Sequence, residues 1–108
     1  MATLSQDLQD CIDACNACVT AANACLAEHV GEEAMARCLA LCLDCTDLCT
    51  ACVQMMARDS DYVARVCAIC ADLCEACAEE CATFDSEACQ ACADACRRCA
   101  ETCRQMAA

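Results

Sequence analysis

Nineteen cysteines occur in 108 residues, and their spacing is regular. Cys38, Cys42, Cys45, Cys49 and Cys52 follow alternating steps of four and three. Cys67, Cys70, Cys74, Cys77 and Cys81 repeat the pattern beginning with three, as do Cys89, Cys92, Cys96, Cys99 and Cys103. The first group is Cys11, Cys15, Cys18 and Cys25, with Ala22 where a fifth cysteine would fall. Thiolates bind soft metal ions or exchange disulfides, and protonated thiols pack as small apolar groups. Packing alone is a poor reason for 19 of them in one repeat, because Leu or Val would fill the space without oxidising. The cysteines are there for their sulfur.

The elements that carry them follow from composition. Ala supplies 25 positions, Gly one and Pro none, which favours helix over the loop-rich chain of a small disulfide scaffold. Steps of three and four mark one stripe of a helix, the a and d positions of a heptad. Four ladders therefore predict four helices, near 4–28, 32–57, 60–82 and 86–106. Thr3 with Gln6 fits a capping box for the first, and Gly31 a helix stop. Glu32 and Glu33 suit the positive end of the second helix. Asp59, Ser60 and Asp61 offer N-caps for the third, and Asp85 and Ser86 for the fourth. Connections this short make neighbours antiparallel. The expected fold class is all-α, an up-down-up-down four-helix bundle with a cysteine-lined core, forming one domain over residues 1–108.

Reading helices one and three forward, and two and four backward, aligns the cysteines in five layers. Cys11, Cys52, Cys67 and Cys103 form the first, and Cys15, Cys49, Cys70 and Cys99 the second. Cys18, Cys45, Cys74 and Cys96 form the third. Ala22 shares the fourth with Cys42, Cys77 and Cys92, and Cys25, Cys38, Cys81 and Cys89 close the fifth. The column of thiols should run about 21 Å, at 1.5 Å per residue. Leu, Ile, Val and Phe together supply only 16 residues, so without the cysteines there is no core to bury.

Charge and hydropathy exclude other classes. A net charge of −12, with six Arg and no Lys, lacks the basic footprint of a nucleic-acid binder. No apolar run approaches the roughly 20 residues of a membrane span. The segment Met1 to Asp7 has no basic region followed by an apolar stretch, so a cytoplasmic location is expected. In that reducing compartment cysteines read as metal-binding or redox-active. No Ser/His/Asp constellation or phosphate-binding glycine loop is visible, and the chain is not expected to be an enzyme. Asp7, Asp10, Asp44, Asp47, Asp72, Glu75, Asp94 and Glu101 read as a solvated exterior. Ile12, Val19 and Leu26, with Leu41 and Leu48, recur every seven residues beside the seam, to seal either helix contacts or a subunit interface.

Soft thiolates select Cu(I), Zn(II) or iron–sulfur clusters, and the bacterial cluster run C-x2-C-x2-C-x3-C-P is absent. Four-coordinate Zn(II) would need about five ions for 19 thiolates, leaving a net charge near −9 in an apolar tube. One Cu(I) per thiolate leaves the core formally neutral. Pairs such as Cys15/Cys18 and Cys70/Cys74 face one way on their helices and can each clamp an ion. Zn(II) or mixed-metal sequestration and a thiol–disulfide redox protein remain the alternatives.

These ladders, C-x3-C-x2-C-x6-C, C-x3-C-x2-C-x3-C-x2-C and twice C-x2-C-x3-C-x2-C-x3-C, resemble those of the cysteine-rich four-helix-bundle copper storage proteins, in the cytosolic branch. The resemblance covers essentially the whole chain. It implies storage of many Cu(I) ions by bis-thiolate ligation, a bundle folded before metal enters, and assembly as a homotetramer. A copper chaperone or a small-molecule donor is the expected source of the ions. Ala22 departs from a full ladder and puts the fourth layer's copper arrangement in question.

The two ends of the column differ. Beyond the fifth layer lie His29, Met35, Phe84 and Asp85. Beyond the first lie Leu8, Met56, Val63 and Met106, with Leu4, Met55 and Tyr62 nearby. The second set reads as an apolar plug and the first as a polar mouth, where His29 and Met35 would relay Cu(I) inward.

Overall fold

The computed structural model describes residues 5–108 as four helices, with no strand among them. Helix α1 spans Gln6–His29, α2 Ala36–Ala57, α3 Val63–Cys81 and α4 Glu87–Ala107, and a 3₁₀ turn at Glu33–Met35 precedes α2. Each helix packs on its chain neighbours, and α1 closes the bundle against α4. The expected fold class is the observed one.

Local chemistry sets the helix ends, in places differently from expectation. Ser5 caps α1, its hydroxyl accepting from the Leu8 amide at 3.2 Å; the expected cap Thr3 lies outside the described residues, as does Leu4. Gly31 follows α1 at φ +91°, in the left-handed region that only glycine enters without strain. Helix α2 starts later than expected, because Glu33 and its neighbours take the tighter 3₁₀ turn first.

Asp59, expected as an N-cap, instead terminates α2. It stands at φ 53°, its amide bonds the Met56 carbonyl at 3.1 Å, and the Ser60 amide reaches Met55 at 3.0 Å. This is a Schellman closure, with Asp at the position Gly usually takes. Helix α3 consequently begins at Val63 rather than 60, with no side-chain cap. Ser60 supports the preceding turn through its hydroxyl, 3.1 Å from the Tyr62 amide. At α4 the cap is Ser86, accepting from the Cys89 amide at 3.3 Å, and not Asp85.

Inside, all 19 cysteines are fully buried. Ile12 joins them, and Val19, Leu26, Leu41 and Leu48, each partly buried, pack against the core. Arg104 on α4 grips Glu75 of α3 at 2.6 Å and Asp72 at 3.5 Å. Ala93 and Ala100 share that face of α4, and Ala71 and Ala78 share that face of α3. All four are buried, so small side chains let the two helices approach closely. The acidic residues assigned to the exterior are exposed.

One expectation needs correction. The stretch Glu33–Ala57, at mean hydropathy 1.4, is long and apolar enough to meet the length and composition of a membrane span. Leucines and cysteines together make it apolar, and Cys38, Cys42, Cys45, Cys49 and Cys52 are all turned into the bundle core.

Candidate metal centre

The heptad stripe places one row of thiols per helix on the bundle axis, and antiparallel packing brings the rows into register. Cys11 Sγ lies 3.7 Å from Cys103 Sγ, Cys15 3.6 Å from Cys99, and Cys18 3.5 Å from Cys96. At the other end Cys25 is 3.6 Å from Cys89, and Cys38 is 3.2 Å from Cys81. Cys49 bridges the second layer, 3.6 Å from Cys70 and 3.7 Å from Cys99. In the fourth, Cys42 lies 3.8 Å from Cys92 and 4.0 Å from Cys77. Each of these pairs belongs to one layer of the sequence-derived register.

Along single helices, sulfurs four residues apart approach at 3.9 Å, as in Cys70/Cys74, Cys77/Cys81, Cys92/Cys96 and Cys99/Cys103. The sulfurs thus form chains running both across and along the column. Two thiols point sideways to backbone: Cys45 donates to the Leu73 carbonyl at 3.9 Å and Cys52 to that of Val66 at 3.8 Å.

These separations are far beyond the 2.03–2.05 Å of a disulfide, and every cysteine is a free thiol. They suit shared metal ligation. The four sulfurs of Cys15, Cys49, Cys70 and Cys99 lie within 4.8 Å of one another, as do those of Cys18, Cys49, Cys74 and Cys99. The same holds for Cys25, Cys38, Cys42 and Cys81, and for Cys42, Cys77, Cys81 and Cys92. With a metal–sulfur bond of about 2.3 Å, two sulfurs facing each other across one ion stand up to about 4.6 Å apart. Small rotations of side chains already in place would satisfy that reach. Sequence spacing exposed the pairs along a helix; the sets that mix layers, such as Cys42 with Cys81, depend on side-chain direction and emerge only in three dimensions.

The electrostatics constrain which ion fits. No polar or charged side chain is buried among the described residues, so no protein cation or carboxylate balances charge in the core. Burial pushes the Cys25 and Cys38 thiols above their ordinary range, since a lone thiolate in apolar surroundings is poorly solvated. Without metal these two fifth-layer thiols therefore keep their protons and pack as apolar groups.

At the expected mouth, His29 is held from both sides. Its Nδ1 lies 2.6 Å from Glu32 Oε2 and its Nε2 2.8 Å from Ser86 Oγ. Glu32 was assigned only to the helix terminus; a Glu three residues past a His across a tight turn was the available sign of this pair. Met35 is 4% exposed, and Phe84 packs against the core. At the far end Met56 is fully buried, and Leu8, Val63 and Met106 cover the first layer, while Tyr62 stands exposed. Both ends are thus covered, one by a polar latch and one by an apolar plug.

Fold and site together define a class: helical bundles whose core is a column of free thiols suited to soft metal ions. The family model for copper storage proteins matches residues 1–108, and the chain belongs to that family. Among solved structures it is similar to apo-Csp3, copper storage protein 3 of Bacillus subtilis, at 45% identity over 93% of this chain and 98% of that one, with a TM-score of 0.88. It is likewise similar to the Cu(I)-bound copper storage protein BsCsp3, at 43% identity over 95% of this chain and 100% of that one, with a TM-score of 0.90. A protein of Nitrosospira multiformis matches at 39% identity over 94% and 95% of the two chains, with a TM-score of 0.82. No curated protein matches the chain.

Proposed function

We propose that this protein stores Cu(I) as cargo on its core thiolates, of order one ion per cysteine. The observation that carries the reading is the column of 19 buried free thiols, with no charged side chain buried among the described residues. Each Cu(I) that binds displaces one thiol proton, so the core stays formally neutral at every degree of filling. Zn(II) held by four thiolates would leave two negative charges per site, with no buried cation nearby to offset them. The Cu(I)-bound structure of BsCsp3 supports the same ion for a chain 43% identical to it.

In this reading all 19 cysteines are ligands, and storage involves no catalytic step. Copper passes at the His29 end. Glu32 orients His29 through Nδ1, as a carboxylate commonly does for a metal-binding imidazole, and Nε2 exchanges Ser86 for an incoming ion. Met35 then offers a thioether toward the fifth layer. Free thiols in this number suit a reducing cytoplasm. A copper chaperone or small-molecule complex is the donor, and family resemblance points to a homotetramer, which light scattering would test.

The decisive test is anaerobic titration of the reduced protein with Cu(I) against a competing chelator. Saturation near 19 ions supports storage. Saturation by about five Zn(II) with tighter competition would favour zinc, and weak metal binding with a reversible disulfide would favour redox exchange.

A further inference from the structure

Ala22 is the one gap in the four ladders, and it lies fully buried in the fourth layer. We propose that Ala22 divides the stored copper into two pools, a labile one in layers four and five and a retained one in layers one to three. The inference rests on the Cu(I)-storage reading above. Of the 19 thiols, seven belong to the labile side and twelve to the retained side.

Cu(I) moves between thiolates by ligand exchange, in which the incoming sulfur must reach the ion before the outgoing one leaves. That requires neighbouring sulfurs within reach of a common ion. On α1 the step from Cys18 to Cys25 is seven residues, about 10.5 Å, with only the Ala22 methyl between. No relay runs down that helix. An ion in the fourth layer has ligands from three helices, and its thiols instead group with the fifth: Cys42, Cys77 and Cys92 share a four-sulfur set with Cys81.

Below the gap the grouping runs the other way. Cys49 and Cys99 belong both to a set with Cys15 and Cys70 and to a set with Cys18 and Cys74, which knits layers two and three together. Cys15 joins Cys11 and Cys103 in a three-sulfur set that ties in layer one. Passage between the two sides is left to the other helices, through the 3.9 Å approach of Cys92 and Cys96. Copper in the inner layers must cross this narrowed step, whereas copper in the outer layers is already next to the mouth.

The test is release from the fully loaded wild-type protein into excess Cu(I) chelator, followed by absorbance under anaerobic conditions. Two phases are expected, with about seven of 19 ions in the fast one and rate constants differing by about tenfold or more. Cys42→Ser should lower the fast amplitude and Cys70→Ser the slow one. Ala22→Cys should bind one more ion and accelerate the slow phase, and Ala22→Ser, which adds bulk without a soft ligand, should leave both phases unchanged. Full capacity with single-phase release would overturn the proposal, as would a fast amplitude near twelve or an unaltered slow phase in Ala22→Cys. If Ala22→Cys does not fold, the wild-type amplitudes with Cys42→Ser and Cys70→Ser still decide. Failure to take up copper near one ion per cysteine would instead defeat the storage reading itself.

Discussion

His29 Nε2 lies 2.8 Å from Ser86 Oγ, the same oxygen that caps α4 by accepting from the Cys89 amide at 3.3 Å. One hydroxyl therefore fastens the end of α1 to the start of α4, directly above the Cys25/Cys89 pair. Ser86→Ala removes both bonds. Loss of the cap alone should cost about 1 kcal/mol, which for a chain of this size lowers Tm by about 4–8 °C. Calorimetry of the reduced apoprotein measures it, and an unchanged Tm would show that the latch contributes nothing to stability.

Replacing His29 and Met35 together by Ala should slow Cu(I) uptake and removal while capacity stays near 19 ions. Glu32→Gln, which weakens the orientation of the imidazole, should slow uptake by about tenfold, the low end for loss of a carboxylate that orients a metal-binding His. Stopped-flow mixing with a Cu(I) donor reads both. Wild-type kinetics in the double variant would place the passage elsewhere.

Burial raises the Cys25 and Cys38 thiols above their ordinary range in the folded apoprotein, so the unfolded chain loses these protons first as pH rises. Stability from these groups is fully present below the unfolded thiol value of about 8.5 and declines above it. Urea unfolding of the reduced apoprotein should therefore give a falling midpoint between neutral and strongly alkaline pH. Cu(I) loading releases the same protons, so apparent affinity should rise with pH over the range in which the thiols hold them. A flat stability profile above neutrality would contradict the raised thiols.

Met56 is fully buried at the far end of the column, and its role in this reading is packing. Met56→Ala should destabilise the apoprotein by about 2–5 kcal/mol without lowering the number of Cu(I) bound. Denaturant unfolding and the copper titration together separate plug from ligand; lost copper with unchanged stability would assign Met56 to the metal.

The reduced apoprotein should already be helical, because protonated thiols and alanines make an apolar core without metal. Far-UV circular dichroism before and after copper addition should change little. A disordered apo spectrum would mean that metal drives folding, as in small zinc domains.

The ladder on each helix was legible because a heptad stripe is a local property, fixed by 3.6 residues per turn. The interhelical register was also legible, since short loops leave little freedom to slide one ladder along the next, and Cys11 meets Cys103 as the alignment requires. The helix ends were less so. Asp59 looked like an N-cap among other capping residues, yet it closes α2 in the left-handed region; side-chain type alone does not choose between ending one helix and starting another across three residues. The membrane-like mean hydropathy of Glu33–Ala57 was less legible, because Arg37, Asp44 and Asp47 interrupt its leucines and cysteines and the stretch is apolar only on average.

The sequence by itself determined the fold class, the placement of thiols on the bundle axis and the gap at Ala22, because all three follow from periodicity and connection length. Tertiary structure alone decided which sulfurs share a reach, how His29 is engaged and how each end is closed. Those depend on side-chain directions and on contacts between residues far apart in the chain, such as Cys38 with Cys81 and His29 with Ser86. Neither pair has a local signature. They exist because antiparallel packing brings one helix's end beside another's beginning.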